Sequence, residues 1–130
     1  MKIIIDTNFI ITAVKQKIQV FDFLNEDYPN CEIYVPNLVK KEIERISESN
    51  EVKISDKKAA NVALDLIKRY NPKQINLETK DADAGIIRYI LNKKEIIVGT
   101  LDRELKRKIK KINPGVKFLT IKEKKRISIQ

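Results

Sequence analysis

Short runs of uninterrupted apolar residues alternate along this chain with stretches in which apolar positions recur every three or four residues. Ile3-Ile4-Ile5 reads as a buried strand, followed by helical material from Phe9 to about Leu24. Glu32-Ile33-Tyr34-Val35 is a second strand that stops at Pro36, and Asn37 can cap a helix running to about Ser47. Ser55 can cap the next helix, whose Ala59, Val62, Ala63, Leu66, Ile67 and Tyr70 keep helical spacing until Asn71-Pro72 ends it. After a short Ile75-Asn76-Leu77 segment, Asp81 and Asp83 lead into a helix carrying Ile86, Ile87, Ile90 and Leu91. Ile96-Ile97-Val98 is the clearest buried strand. Leu105, Ile109 and Ile112 then mark one face of a helix that Asn113-Pro114-Gly115 terminates, before a last strand from Val116 to Ile121.

Strands that are apolar throughout and alternate with helices predict a parallel sheet covered on both faces, a three-layer α/β/α fold. In such sheets ligands collect at the carboxyl ends of the strands. No repeat, low-complexity block or Pro/Gly/Ser linker divides the 130 residues, so a single domain over 1–130 is expected. A chain of this size buries roughly two-thirds of its surface, enough for a real core. Met1-Lys2 leads straight into the first strand with no long apolar stretch, so neither a signal peptide nor a membrane span is expected, and a cytoplasmic protein is.

Composition then removes whole chemistries. The chain has no His, which excludes Ser-His-Asp and Cys-His nucleophilic catalysis and histidine metal sites. Cys31 is the only cysteine, so an intramolecular disulfide is impossible, and three scattered glycines cannot build a phosphate-binding loop. Catalysis must rest on carboxylates, Lys, hydroxyls or a metal held by oxygen. The net charge of +9 is also unevenly placed: residues 103–126 hold eleven Lys or Arg against two acids, and the remainder balances. A neutral domain with one basic C-terminal segment points to a polyanionic partner.

The acids fall where a site would form. Asp6 follows the first strand, and Asp102 repeats that arrangement after Ile96–Val98. The plain alternative for each is a helix N-cap. With about 100° per residue, Glu42 falls at roughly 40°, inside the stripe that Leu38, Val39, Ile43 and Ile46 trace. An ionised carboxylate there is costly unless something pairs with it, and a salt bridge is the alternative explanation. Of Asp81 and Asp83, one is expected to be a plain cap, and Asp83 sits nearer the core side of the first turn. If Asp6, Glu42, Asp83 and Asp102 converge, each repulsive pair at about 4 Å costs on the order of 4 kcal/mol at an effective dielectric near 20. Such a cluster must protonate or bind cations, and hard oxygen ligands select Mg²⁺ or Mn²⁺. The chemistry that follows is metal-activated water attacking a phosphodiester.

Taken in order, Ile-Ile-Ile-Asp6-Thr7-Asn8, Val39-x-x-Glu42-Ile43, Asp83-x-x-Ile86-Ile87 and Val98-Gly99-Thr100-x-Asp102 resemble the PIN-domain ribonucleases over nearly the whole chain. The resemblance implies a parallel five-stranded α/β/α sandwich and an endoribonuclease that cuts single-stranded RNA with Mg²⁺ or Mn²⁺. It implies Asp6, Glu42, Asp83 and Asp102 as catalytic metal ligands and Asn8 and Thr100 as polar supports, and it leaves the role of Asp81 open. The stretch Thr100–Ile109 followed by Pro114-Gly115-Val116 looks most like the branch that processes small-subunit ribosomal RNA. Toxin ribonucleases of toxin–antitoxin pairs share the acids and the length. A non-catalytic RNA-binding assembly factor on the same fold is a third reading, and retention of all four acids speaks against it. An aspartate phosphatase or phosphoreceiver fits poorly, since Asp6-Thr7-Asn8 lacks the second acid.

Arg103, Lys106, Arg107, Lys110 and Lys111 are the expected RNA contacts, on a helix that begins one residue after Asp102. A solvated surface helix is the bland alternative. Phe118 is the only aromatic of the segment, so contact with phosphates rather than base stacking is expected. RNA, ribosomal RNA first, is the expected partner, with no membrane; a homodimer, an assembly factor or an antitoxin protein stays open.

Overall fold

The computed structural model describes residues 1–122 and 126–130. The tip of the basic segment, Glu123, Lys124 and Lys125, lies outside the described residues. Eleven elements follow one another: β1 (Lys2–Ile5), α1 (Thr7–Lys15), α2 (Val20–Asp27), β2 (Glu32–Tyr34), α3 (Asn37–Glu48), α4 (Ile54–Tyr70), α5 (Ala82–Ile90), β3 (Ile96–Gly99), α6 (Arg103–Ile112), β4 (Lys117–Lys122) and β5 (Arg126–Ile129).

The five strands form one sheet in the order β2-β1-β3-β4-β5. β1 pairs in parallel with β2 and β3, and β3 with β4. Successive side chains of a strand point to opposite faces, and the core divides accordingly. Ile3, Ile5 and Ile97 pack with α1 to α4, while Ile4, Ile96 and Val98 pack with α5 and α6. This is the three-layer sandwich that the apolar runs predict. All three isoleucines of β1 are fully buried because both of their faces are covered.

Several details depart from the linear pattern. The sheet is mostly rather than wholly parallel: β5 runs antiparallel to β4, pairing Lys122 with Arg126 and Leu119 with Ile129. Three residues separate these strands in sequence, far short of the dozen or so that a parallel crossover needs. The short Ile75-Asn76-Leu77 segment adds no strand to the sheet; its stretch runs beside β2, joined to it by a bridge between Tyr34 and Lys73. The helical material after Asp6 is two helices, broken where Lys17 takes a positive φ of 60°. α4 starts at Ile54 with no side-chain cap, and Asn37 braces a loop instead of capping α3: it donates to the Leu77 carbonyl and accepts from the Leu77 amide. Val62, Leu91 and Ile112, which the spacing places on apolar stripes, are exposed.

Candidate functional site

The chain leaves β1 toward β2 on one side and returns to β3 on the other, so the strand order reverses between β1 and β3. A crevice opens at the carboxyl ends of strands at such a reversal. Asp6 stands directly after β1, and Thr100 and Asp102 directly after β3. The N-terminal turn of α5 and the side of α3 complete the walls. The cleft holds about 520 Å³ and is lined by Asp6, Thr7, Asn8, Glu42, Asp81, Asp83, Asp102 and Lys108, among others. Five carboxylates from four separate parts of the sequence therefore share one concavity.

The β1–β3 seam is tied together by side chains. The Thr100 hydroxyl donates to Asp6 Oδ2 at 3.0 Å, lies 3.3 Å from Asn8 Oδ1 and accepts from the Asp102 amide at 3.2 Å. Asn8 Oδ1 also accepts from the Leu101 amide at 2.9 Å. Asn8 and Thr100 thus hold the two strand ends in register, with Thr100 fully buried and Asp6 4% exposed.

Capping and site placement turn out to be compatible. Asp6 accepts from the Thr7 amide, Asp81 from the Ala84 amide, and Asp102 from the amides of Glu104 and Leu105. All three line the cleft as well as capping α1, α5 and α6. Asp83, in the first turn of α5, makes no cap and faces the same space. Three helix amino ends converge there, and their partial positive charge favours anions. Glu42 has no ion pair among the described residues, which removes the salt-bridge explanation for its place on the apolar side of α3.

The electrostatics reflect crowding. Burial pushes the Asp6 carboxyl up to about 6; the Thr7 amide and Thr100 hydroxyl counteract it, and the charges of Asp83 and Glu42 add to the rise. Glu42 is raised by burial and by Asp83, against the opposing charge of Arg45. Asp83 is raised by burial and then by Asp102 and Asp81, with Lys108 opposing. Thr7 Oγ1 is buried and lies near enough to Glu42 to favour its ionised form, yet no partner among the described residues closes to full hydrogen-bond geometry with it. Like charges held together and an orphaned buried hydroxyl are the marks of a pocket suited to a hard cation with its bound water. Among the described residues no three carboxylates close directly on one point.

The expected RNA contacts sit elsewhere on α6. Arg103, Lys106, Arg107 and Lys110 line a separate groove of about 370 Å³ with Phe118, Thr120 and Gln130. Lys106 and Lys110 each hold their ammonium 5.9 Å from the Phe118 ring, which is itself buried. Burial and the neighbouring Arg103 and Lys110 lower the Lys106 pKa. Lys111 is exposed and lines neither concavity.

Two cleft residues escape the sequence reading, Thr7 and Lys108. Thr7 carries no signal in a strand-Asp-Thr run. Lys108 has a faint one: on the helical wheel it falls about 60° from Leu105, on the opposite flank of the apolar stripe from Lys106 and Lys110.

A family model described as "PIN like domain" matches residues 3–124. Ribonuclease VapC4 of Methanocaldococcus jannaschii is 36% identical over 130 residues, covering 98% of this chain and 95% of the relative. The rRNA-processing protein FCF1 homolog of Homo sapiens is 31% identical over 120 residues, covering 92% of this chain and 56% of the relative. The chain thus spans about half the length of that second relative. A solved structure of the PIN domain endonuclease Utp24 matches 99% of this chain and 90% of its own, with a TM-score of 0.77 and 27% identity. No helix among the described residues is long and apolar enough to cross a membrane.

Proposed function

From the premise that this chain belongs to the PIN-domain family, we propose that it is an endoribonuclease that hydrolyses phosphodiester bonds of single-stranded RNA with Mg²⁺ or Mn²⁺, acting in ribosomal RNA processing. The observation that carries this reading is the gathering of Asp6, Glu42, Asp83 and Asp102 from four distant stretches at one strand-end cleft. A divalent cation bound there would supply Lewis-acid polarisation of the phosphate and a water activated near neutral pH.

The roles of the chain's own residues follow from their placement. Asp6, Glu42, Asp83 and Asp102 would hold the cation, directly or through water, and Asp81 is a fifth acid at the rim. Thr100 and Asn8 orient Asp6 and the β3–α6 turn, so that the carboxylate is fixed before substrate arrives. Asp6, which burial raises to about 6, would have to give up any proton it holds for a cation to bind. Arg103, Lys106, Arg107 and Lys110 would carry the RNA backbone along the far flank of α6, with Lys111 beyond them.

A toxin-type ribonuclease is the second reading, favoured by the nearly end-to-end match with ribonuclease VapC4. Incubating labelled structured RNA with the protein and Mn²⁺ or Mg²⁺ tests the enzyme, comparing wild type with Asp6→Asn and Asp102→Asn. Cutting that needs metal and is lost in both variants supports it. Tight binding without cutting under any metal condition favours an assembly factor, and equal cutting by both variants indicates a contaminant. Accumulation of unprocessed small-subunit ribosomal RNA in a deletion strain, as against arrest of growth on overexpression, separates the two branches.

A further inference from the structure

We propose that Lys108 is a catalytic residue of this site, its ammonium holding the phosphodiester that is cut within the acid-lined cleft. The proposal rests on the endoribonuclease reading above. It starts from a charge imbalance. Asp6, Glu42, Asp81, Asp83 and Asp102 bring five carboxylates to the cleft, and Lys108 is the sole cationic side chain among the described residues that lines it. With every carboxylate ionised, one bound divalent cation would leave the pocket three charges negative before Lys108 is counted. A phosphodiester entering that field is repelled, and a fixed positive charge is needed at the phosphate itself.

The fold delivers that charge. Asp102 caps α6 through the amides of Glu104 and Leu105, which ties the start of the helix to the end of β3. Lys108 lies about 9 Å further along the axis, and helical side chains tilt back toward the amino end. Its four-carbon stem can therefore return the ammonium to the cleft. Lys110, only two residues on, points about 200° away around the helix and lines the other groove. Of the six cations of α6, four thus line the distal groove, one stands at the acids, and Lys111 lines neither.

Lys108 is also uncommitted. The described ion pairs are Lys15–Asp56, Lys73–Glu32 and Arg107–Glu104, so among the described residues it has no partner within salt-bridge distance. It nonetheless lines the same cleft as Asp83 and the other acids. A lysine that served only to neutralise Asp83 would be expected to close on it. An exposed ammonium near the acids but bonded to none is positioned for a ligand.

The test compares cleavage of labelled single-stranded RNA in Mn²⁺ by wild type, Lys108→Gln, Lys108→Arg and Lys94→Gln, a charge loss on an exposed loop outside both concavities. The expected result is a fall in kcat of about a hundredfold to a thousandfold for Lys108→Gln, as for loss of one preorganised donor to a developing anion. KM changes little, Lys108→Arg restores part of the rate, and Lys94→Gln matches wild type. Thermal melts accompany the kinetics, since removing a positive charge from the acid cluster should also tighten Mn²⁺ binding, measurable by calorimetry. Wild-type kcat in Lys108→Gln overturns the proposal, as does a loss that enters KM alone. If wild type cuts and Asp102→Asn does not, either of those outcomes strikes Lys108 and leaves the endoribonuclease standing. Failure of wild type to cut under any metal condition removes both.

Discussion

Asp6→Asn should stabilise the metal-free protein at neutral pH while abolishing its proposed activity. The Asp6 carboxyl is raised from 3.8 to about 6, chiefly by burial. In the unfolded chain it loses its proton near pH 4, whereas the folded chain keeps that proton until about pH 6. The unfolded state therefore binds fewer protons across that window, and stability falls as pH rises through it. Above the folded pKa the loss amounts to about 3 kcal/mol, at about 1.4 kcal/mol for each tenfold in proton affinity. Asparagine does not ionise and suffers no such loss. Its carbonyl can accept from the Thr7 amide as Asp6 does, and its amide can donate to Thr100 Oγ1, whose own proton is then free for Asn8 Oδ1 at 3.3 Å. Between about pH 4.5, which already lies above the unfolded pKa, and about pH 7.5, the stability difference between variant and wild type should therefore shift in favour of the variant by about 2 kcal/mol. For a chain of this length that corresponds to about 7 °C in Tm. Chelator-treated samples melted at about pH 4.5 and about pH 7.5 would show it, on either side of the folded pKa. A gap between the two proteins that is the same at both pH values would refute the premise that Asp6 is buried among like charges.

Other parts of the structure give separable outcomes. Asp102→Ala removes the acceptor for the Glu104 and Leu105 amides and should cost about 1–2 kcal/mol in chemical denaturation, while Asp102→Asn retains the cap and loses far less. A Cβ at Gly85 would lie 2.5 Å from Thr79 Oγ1 and 2.8 Å from Leu77 Cδ1, so Gly85→Val should cost about 1–3 kcal/mol by the same assay. If about six phosphates contact the protein on a single strand, log K for RNA against log salt should have a slope near −4. Lys106→Gln with Lys110→Gln should flatten that slope by about 1.4, and a slope near zero in wild type would remove α6 as the RNA contact.

Much of this architecture is legible in a linear reading. β1 and β3 are apolar at nearly every position because both sheet faces are covered, and that requirement shows without partners in view. Asp6, Asp81 and Asp102 announce themselves because a capping carboxylate must stand at a particular residue, immediately before a helix. Glu42 is visible because an acid inside an apolar stripe breaks the helical period. β5 is less legible: Arg126–Ile129 alternates polar and apolar residues over only four positions and follows a run of charge. Asn37 misleads for a related reason. Its side chain is equally able to cap a helix or bond a distant backbone, and the Leu77 segment, forty residues away, takes it.

The division of the basic segment shows where sequence stops. An excess of +9 confined to residues 103–126 already indicates a polyanionic partner, because unpaired charge is a property of composition. Periodicity also separates the apolar stripe of α6 from its cations. It cannot say what lies beside each flank. That depends on β3 bringing Asp102 next to Asp6 while β4 and β5 pass on the other side, a matter of strand order rather than spacing. Only in the assembled sheet does Lys108 face the acids while Lys106 and Lys110 cover Phe118. The residue types and the strand-end positions of the acids were determined by the sequence alone. Their convergence, the raised carboxyl of Asp6 and the placing of one lysine among five acids were decided by tertiary structure, since burial and proximity between distant residues exist only once the chain has folded.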